Sequence, residues 1–354
     1  MEMKKYAFGV DIGGTTCKIG FFDTTGVLLE KWEIPTDTTN AGERILQDVA
    51  KAILGKMRDV CGICETDASE ESGREEPVEQ AASKLMSDVQ GVGVGVPGPV
   101  TDFRVVHGCE NLGWETVDVA TELENLLGVP VKVENDANMA VLGEMYKGGG
   151  LGSKNLILVT LGTGVGSGIV CGGNIITGHD GAAGEIGHMV VDLEETVQCS
   201  CGKYGCLEQY ASATGIVRLA KTKFGIVSAV EGEELTAKQI FDRAKGSRVQ
   251  SQATGLESVQ TDSRALAVVE HVGKILGIAL ANVACVINPE VIVIGGGVSK
   301  AGNILIDAVQ KYFVPNAFGE CSRAKFALAQ LGNDAGIWGC LRLLLDEQKN
   351  KQKK

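Results

Sequence analysis

Val131-Lys132-Val133-Glu134-Asn135-Asp136-Ala137-Asn138 is the stretch on which the reading of this chain turns. Apolar residues alternate from Val129 to Val133 and predict a short strand; the apolar spacing from Ala137 to Tyr146 predicts a helix. Three polar residues, Glu134, Asn135 and Asp136, stand between them. A carboxylate at a strand end just ahead of a helix sits where an open α/β sheet gathers its chemistry. Asp136 is therefore the candidate catalytic base. The competing reading is structural: Asn135 or Asp136 caps the helix by accepting from its unpaired N–H groups. The flanking segments decide between the two.

Upstream, Tyr6–Val10, Lys18–Phe22 and Val27–Ile34 read as three strands. The first turn between them is Asp11-Ile12-Gly13-Gly14-Thr15-Thr16, the second Asp23-Thr24-Thr25-Gly26. Downstream, the glycine-rich joint Gly148–Ser153 is a candidate domain boundary. Beyond it the same plan returns: a strand Asn155–Thr160, the turn Leu161-Gly162-Thr163-Gly164-Val165-Gly166, a strand Ser167–Cys171 and a hairpin at Gly172-Gly173-Asn174. Two such units suggest duplicated domains, each presenting a loop whose backbone N–H groups can approach a phosphate. Taken singly, a Gly-Gly-Thr hairpin is an ordinary turn, and a chance match of two hairpins is the alternative. Asp11 at the strand end can hold a water on Mg²⁺. No P-loop pattern occurs.

The 354 residues suggest about two domains, with 44% hydrophobic residues supplying ample core. The 48 glycines cluster in loops without a period, which excludes a fibrous repeat. A net charge of −12 argues against a nucleic-acid partner. The most apolar region, Ala265–Gly297, is interrupted by charged and amide residues and does not read as a membrane span. Lys4-Lys5 leads into too short an apolar run for a signal peptide, so the expected location is the cytoplasm. Eleven cysteines, scattered except in one cluster, fit reduced thiols and one metal site.

That cluster is Cys199-Ser200-Cys201-Gly202-Lys203-Tyr204-Gly205-Cys206-Leu207-Glu208, preceded by Glu185-Ile186-Gly187-His188. His188, Cys199, Cys201 and Cys206 make a Cys₃His set for tetrahedral Zn²⁺, with four ligands filling the shell of a structural site. Three free buried thiols are the alternative. A metal there would lock Glu185, His188 and Glu208 into one constellation, whose carboxylates can accept from sugar hydroxyls. Asn111 can bond a polyol and Trp114 can wall a pocket; ordinary loop packing is the alternative for each.

The rest of the chain is punctuated clearly. Asn40–Val60 reads as a helix, Cys61–Gln80 as an acidic solvated loop, and Val89–Val96 as a buried strand stopped by Pro97-Gly98-Pro99. Cys61-x-x-Cys64 lacks a second pair and reads as ordinary thiols. Val117–Leu127 reads as a helix, Ala211–Arg264 as largely helical, and Ser263–Ile287 as one long apolar helix ended by Pro289. A strand Glu290–Ile294 then leads through Gly295-Gly296-Gly297 to a helix Ser299–Phe313, a third place where helix N–H groups can meet an anion. Asn333-Asp334-Ala335-Gly336 starts a terminal helix expected to reach Leu345, with a disordered lysine tail over 349–354.

Together these motifs resemble the ROK family of repressors and sugar kinases, and within it the bacterial glucokinases. The resemblance rests on Asp11-Ile-Gly-Gly-Thr-Thr16, Val96-Pro-Gly-Pro-Val100, Glu134-Asn-Asp-Ala-Asn138, Leu161-Gly-Thr-Gly-Val-Gly166, Glu185-Ile-Gly-His188 and Cys199-x-Cys-Gly-x-x-Gly-Cys206-Leu-Glu208, in that order. It implies a two-domain α/β fold of the actin/hexokinase (ribonuclease H-like) type with its active site in the cleft. The expected division is a small domain of residues 1–135, joined by a C-terminal helix 334–348, and a larger domain 136–333 with the zinc loop. The resemblance implies that Asn111, Asn135, Asp136, Glu185, His188 and Glu208 bind sugar. It places Asp11, Gly13, Gly14, Thr15, Thr16, Lys18, Gly162, Thr163, Gly164 and Gly296 around ATP and Mg²⁺, and makes His188, Cys199, Cys201 and Cys206 the Zn²⁺ ligands. The expected activity is transfer of phosphate from ATP to the 6-hydroxyl of glucose, by a homodimer or homotetramer. N-acetylmannosamine, fructose and allose are alternative substrates. A ROK sugar-responsive repressor is the competing class, opposed by the acidic charge and by the few residues ahead of Asp11. The acidic segment Cys61–Gln80 is longer than the family pattern leads one to expect.

Overall fold

The computed structural model describes residues 3–62, 84–228, 232–250 and 257–352. Most of the acidic segment, including Cys64, lies outside the described residues. The chain forms two compact units. One comprises Met1–Lys147, Ile175–Ala183 and Asn333–Lys354; the other comprises Gly148–Asn174 and Gly184–Gly332. The break after Lys147 falls at the glycine-rich joint and leaves the helix Asp136–Lys147 in the first unit, where it packs along the terminal helix Ala335–Gln352.

In the first unit, β1 (Tyr6–Ile12), β2 (Thr16–Asp23) and β3 (Leu28–Pro35) form an antiparallel meander. β4 (Val89–Val96) lies parallel to β1. A small antiparallel sheet follows: β5 (Val100–Thr101), β6 (Val105–Cys109) and β7 (Trp114–Asp118). This sheet was not expected, because its strands are too short to show a period and its first turn uses Asp102 and Phe103 at φ of 54° and 57°. β8 (Val131–Asn135) then pairs parallel with β4, giving the order β3-β2-β1-β4-β8.

Alternation along β1 sends Phe8, Val10 and Ile12 into a core with α1 (Ile45–Cys61) and α2 (Val119–Leu127). Ala7, with Ile337 and Leu341 of the terminal helix, belongs to the core on the other face. That helix lies directly on the strands, since a Cβ at Gly9 would come 2.5 Å from the Ile337 carbonyl oxygen. α1 begins later than expected because Asn40 and Ala41 adopt left-handed φ of 49° and 56°.

α3 (Asp136–Lys147) and the terminal helix cross at glycines. A Cβ at Gly339 would overlap the Met139 backbone, and one at Gly143 would overlap that of Ala335. Neither backbone can swing away as a side chain would. Gly339→Ala is therefore expected to destabilise the protein by about 3 kcal/mol, read as a lowered denaturant midpoint. An unchanged midpoint would mean the helices separate at little cost.

The second unit repeats the topology: β9 (Leu156–Leu161) and β10 (Val165–Cys171) are antiparallel, with β11 (Asn174–Ile175) beyond β10. β14 (Val291–Gly295) is parallel to β9, and β15 (Lys325–Leu328) to β14, giving β11-β10-β9-β14-β15. The likeness read from two hairpins thus extends to both whole sheets. The region expected to be largely helical is broken into α4 (Glu208–Ala211), α5 (Ala213–Thr222), α6 (Ala237–Lys245) and a hairpin of β12 (Ser247–Gln250) and β13 (Glu257–Gln260). A capping box of Thr236 and Gln239 starts α6.

α7 (Ser263–Ile287) matches its expected span. By length and composition it could cross a membrane, yet Val268, Val272, Leu276 and Leu280 are buried, and Gly273 and Gly277 admit the backbone of α8 (Asn303–Asn316). Its apolarity is that of a core helix. The Gly295–Gly297 turn does not open directly into α8. A 3₁₀ turn, Gly297–Ala301, intervenes and breaks at Gly302 with φ of 73°. The terminal helix runs past Leu345 to Gln352, so the backbone of the first lysines of the tail is helical rather than disordered.

Candidate functional site

The pivot separates into a cap and an exposed acid. Asn135 is the cap: its Oδ1 accepts from the N–H groups of Ala137 (2.9 Å) and Asn138 (3.3 Å). Its Nδ2 donates to the carbonyl of Gly98 at 3.0 Å, tying it to the Pro97-Gly98-Pro99 corner. Glu134 is buried and accepts from Asn135 N–H (2.8 Å) and Asn138 Nδ2 (3.1 Å). Burial pushes its carboxyl up. Asp136 stands exposed at the first position of α3, its Oδ1 accepting from Ala137 N–H at 2.7 Å.

Asp11, Gly95 and Glu134 are register partners across β1, β4 and β8, at the carboxyl ends of parallel strands. Loss of solvent, and then the charge of Asp136, push the Asp11 carboxyl up to about 6, while the Lys18 ammonium pulls it down. Gly336 lets the terminal helix meet this group, since a Cβ there would lie 2.7 Å from Asp11 Oδ2. The first glycine turn, with Gly14, Thr15 and Thr16 exposed, is braced by Gly13 N–H to the Thr16 carbonyl (3.0 Å) and by the Thr36 hydroxyl to the Gly13 carbonyl (2.7 Å). A Cβ at Gly14 would be 3.5 Å from the carbonyl oxygen of Asn111, so this turn and Asn111 are neighbours. Lys18, expected near the nucleotide, donates to the Asn333 carbonyl at 2.6 Å and pairs with Asp334 at 3.6 Å.

The raised Asp11 carboxyl has a consequence for stability. Between its ordinary value of 3.8 and about 6, the folded chain binds that proton more tightly than the unfolded chain. Stability therefore falls as pH rises through this window, and the penalty is complete above it. Asp11→Asn is expected to raise stability at pH 7 by on the order of 1 kcal/mol, with the gain vanishing toward about pH 4. Denaturant titrations at the two pH values check this; a gain that does not change with pH would contradict it.

In the second unit, the ligand atoms of His188, Cys199, Cys201 and Cys206 all lie within 4.8 Å of one another. Cys201 Sγ and Cys206 Sγ are 3.6 Å apart, and Cys199 Sγ and His188 Nδ1 are 3.7 Å apart. Tetrahedral Zn²⁺ with ordinary bond lengths sets such edges at about 3.6–3.8 Å. The donor set fits the ion. Local chemistry makes the loop: Gly205, at φ of 71°, admits the Asp192 backbone, and Lys203 Nζ donates to the His188 carbonyl at 2.9 Å. Glu185 is exposed just ahead of the 3₁₀ turn Ile186–His188.

Glu208 opens α4. Its Oε2 accepts from Val165 N–H at 3.0 Å and its Oε1 from the Ser200 hydroxyl at 3.2 Å. A second network anchors the loop's far side. Tyr210 donates to Asp192 (2.8 Å) and Glu195 (2.9 Å), and Arg218 donates to Glu195 (2.6 Å). Loss of solvent opposes ionisation of Glu195, but the bonds from Arg218, Val197 N–H and Tyr210 prevail and hold its carboxyl at about 2.

The second glycine turn is docked by α5: Ala213 N–H donates to the Gly162 carbonyl (2.8 Å) and the Thr214 hydroxyl to that of Thr163 (2.7 Å). Among the described residues, a Cβ at Gly162 would meet nothing within 4 Å, and Thr163 is exposed, so space lies over this turn. Gly296 has a backbone reason to be glycine, with φ of 79° and the Leu161 carbonyl oxygen 2.5 Å from any Cβ.

Beside the turn is a mostly apolar cavity of about 270 Å³ lined by Ala213, Thr236, Ala237, Phe241, Gly297 and Val298, with Lys238, Asp242, Lys300 and Ala301 completing it. A wider one of about 540 Å³ reaches Thr163, Arg218 and Lys221. Sequence reading missed these walls, since Thr236–Asp242 on α6 carries only the pattern of an ordinary amphipathic helix. It also missed Ser200, whose only signal is its place between two of the clustered cysteines.

A family profile described as "ROK family" matches residues 75–347. A glucokinase of Halalkalibacterium halodurans is 41% identical over 99% of this chain and 98% of its own length. The crystal structure of a ROK family glucokinase from Streptomyces griseus, in complex with glucose and AMPPNP, is 31% identical, with a TM-score of 0.65 over 96% of this chain and 98% of that one. The ROK hexokinase from Thermus thermophilus is 27% identical, with a TM-score of 0.70 over 98% and 99%. These likenesses make the fold the two-domain actin-like ATPase fold. With the family profile covering most of its length and a full-length relative at this identity, the chain belongs to the ROK family.

Proposed function

We propose that this chain is a hexokinase-type phosphotransferase, a glucokinase that transfers the γ-phosphoryl group of ATP to the 6-hydroxyl of glucose. The observation that carries the reading is Asp136, exposed at the start of α3 and held by the Asn135 cap, within electrostatic reach of Asp11. Full-length relatives named as glucokinases and the glucose–AMPPNP complex of a relative support it.

Asp136 takes the proton of the 6-hydroxyl as that oxygen attacks the γ-phosphorus and the bond to the ADP oxygen breaks. Asn111, Asn135, Glu185, His188 and Glu208 bind sugar hydroxyls and orient the attack. Gly13, Gly14, Thr15 and Thr16 of the first turn, and Gly162 and Thr163 of the second, offer backbone and hydroxyl donors to the phosphates. The apolar cavity next to Gly297 takes the base.

A carboxyl whose proton affinity is raised by a neighbouring carboxylate, as that of Asp11 is by Asp136, suits a divalent cation, and Asp11 would hold Mg²⁺ through a water. When bound, Mg²⁺ offsets charge on the transferring phosphoryl group. Zn²⁺ on His188 and the three cysteines supplies a cross-link that fixes the sugar-binding loop. We expect a homodimer or homotetramer in the cytoplasm, with no nucleic-acid or membrane partner.

ADP release assayed over glucose, N-acetylmannosamine, fructose and allose tests the function. The highest kcat/KM is expected for glucose. A higher value for another hexose would reassign the substrate, and no release with any hexose would overturn the kinase reading.

A further inference from the structure

We propose that Gly164 and Ser200 are positioning residues for Glu208, and that they set the affinity for sugar rather than for nucleotide. The inference rests on the reading of Glu208 as a sugar ligand. Val165, whose N–H holds Glu208 Oε2, follows directly on the second glycine turn. Ser200, whose hydroxyl holds Oε1, stands between two of the clustered cysteines. One carboxylate therefore joins the glycine turn to the metal loop, with both its oxygens oriented by protein donors. Oε1 also faces the Cys199 sulfur at 3.8 Å, and Oε2 keeps a further lone pair for a sugar hydroxyl.

Gly164 is the residue that makes room for this. A Cβ there would overlap Glu208 Oε2, whereas one at Gly162, in the same turn, would meet nothing within 4 Å. Gly164 has no left-handed φ, so its backbone does not require glycine. The atom in the way is the free end of a flexible side chain, not backbone. Alanine at this position should push the carboxylate aside and leave the β9–β10 pairing intact. In a sequence reading Gly164 passes for a phosphate-loop glycine, but in the structure its vacant side faces Glu208.

The test is calorimetric titration of glucose and of AMPPNP into the full chain, with zinc content measured for each variant. Gly164→Ala is expected to weaken glucose binding by about 10- to 100-fold, the loss of a charged hydrogen bond, and AMPPNP by less than about threefold. Ser200→Ala is expected to weaken glucose by about 3- to 10-fold at unchanged zinc content, and Ser200→Thr, which keeps the hydroxyl, to restore it. The double variant Gly164→Ala/Ser200→Ala should lose less than the product of the two, because both act through one carboxylate. Unchanged glucose affinity in Gly164→Ala, or an equal loss for AMPPNP, overturns the proposal. Glu208→Gln separates the two levels. If it leaves glucose binding intact, the sugar-ligand reading itself fails. If it weakens glucose while Gly164→Ala does not, only the positioning role fails.

Discussion

Asp136→Asn is expected to lower turnover by about 10²- to 10⁴-fold while changing glucose affinity far less. The amide keeps the shape of the carboxylate but cannot accept the hydroxyl proton. Folding should survive, because the cap of α3 is Asn135 and not Asp136. The lost charge at the first helical turn costs only about 0.5 kcal/mol. A second readout follows from the neighbouring acid. The charge of Asp136 helps to raise the Asp11 carboxyl, so in the variant that carboxyl should titrate below its value of about 6. Steady-state kinetics and a pH-stability profile give both results. Turnover near that of the parent would remove Asp136 from the chemistry, and an unmoved profile would deny its electrostatic influence on Asp11.

Cys201→Ser should act through a different physical route. Elemental analysis of the parent is expected to find about one zinc per chain, and the variant far less. Beyond the backbone bridges Val190–Cys206 and Gln198–Tyr204 and the Lys203 bond to the His188 carbonyl, the loop around His188 and the three cysteines has few large apolar contacts among the described residues. Gly202 and Gly205 flank Tyr204, which is exposed, and the exposed Val190, Leu193 and Val197 contribute no core. The Tyr210–Glu195–Arg218 network fastens the loop at Asp192 and Glu195, outside the Cys199–Cys206 segment. Loss of the metal should therefore loosen His188 and Glu208, lower the melting temperature by about 5–10 °C, and weaken glucose binding by about tenfold or more. AMPPNP affinity should change less, because the second glycine turn is held separately by Ala213 and Thr214. A zinc-free parent with full stability and full glucose affinity would reduce the cysteines to ordinary thiols.

Local chemistry was legible in the chain because its partners are close in sequence. The Cys199–Cys206 spacing with His188, and the pivot from Glu134 to Asn138, depend on bonds within one loop or one helix turn. The long helix Ser263–Ile287 was legible because its apolar positions repeat over many turns. The hairpins Tyr6–Asp23 and Leu156–Cys171 were legible because alternation and glycine turns are short-range signals. Even at the pivot, the sequence left open whether Asn135 or Asp136 capped the helix; the bonds of Asn135 to Ala137 and Asn138 decided it.

What the tertiary structure decided lies between residues far apart in the chain. Lys18 donates to Asn333, 315 residues away, a bond that nothing in the sequence pattern announces. Gly164 reads as a phosphate-loop glycine, and that its open side meets Glu208, which bonds Val165 43 residues away, shows only in the fold. The cavity beside Gly297 exists only because α6 packs there, and nothing in the period of α6 announces that wall. Sequence pattern records which face of an element is buried, since burial follows from apolar spacing. It does not record which distant carboxylate or carbonyl meets that face, because that depends on how strands and helices far apart in the chain are brought into register.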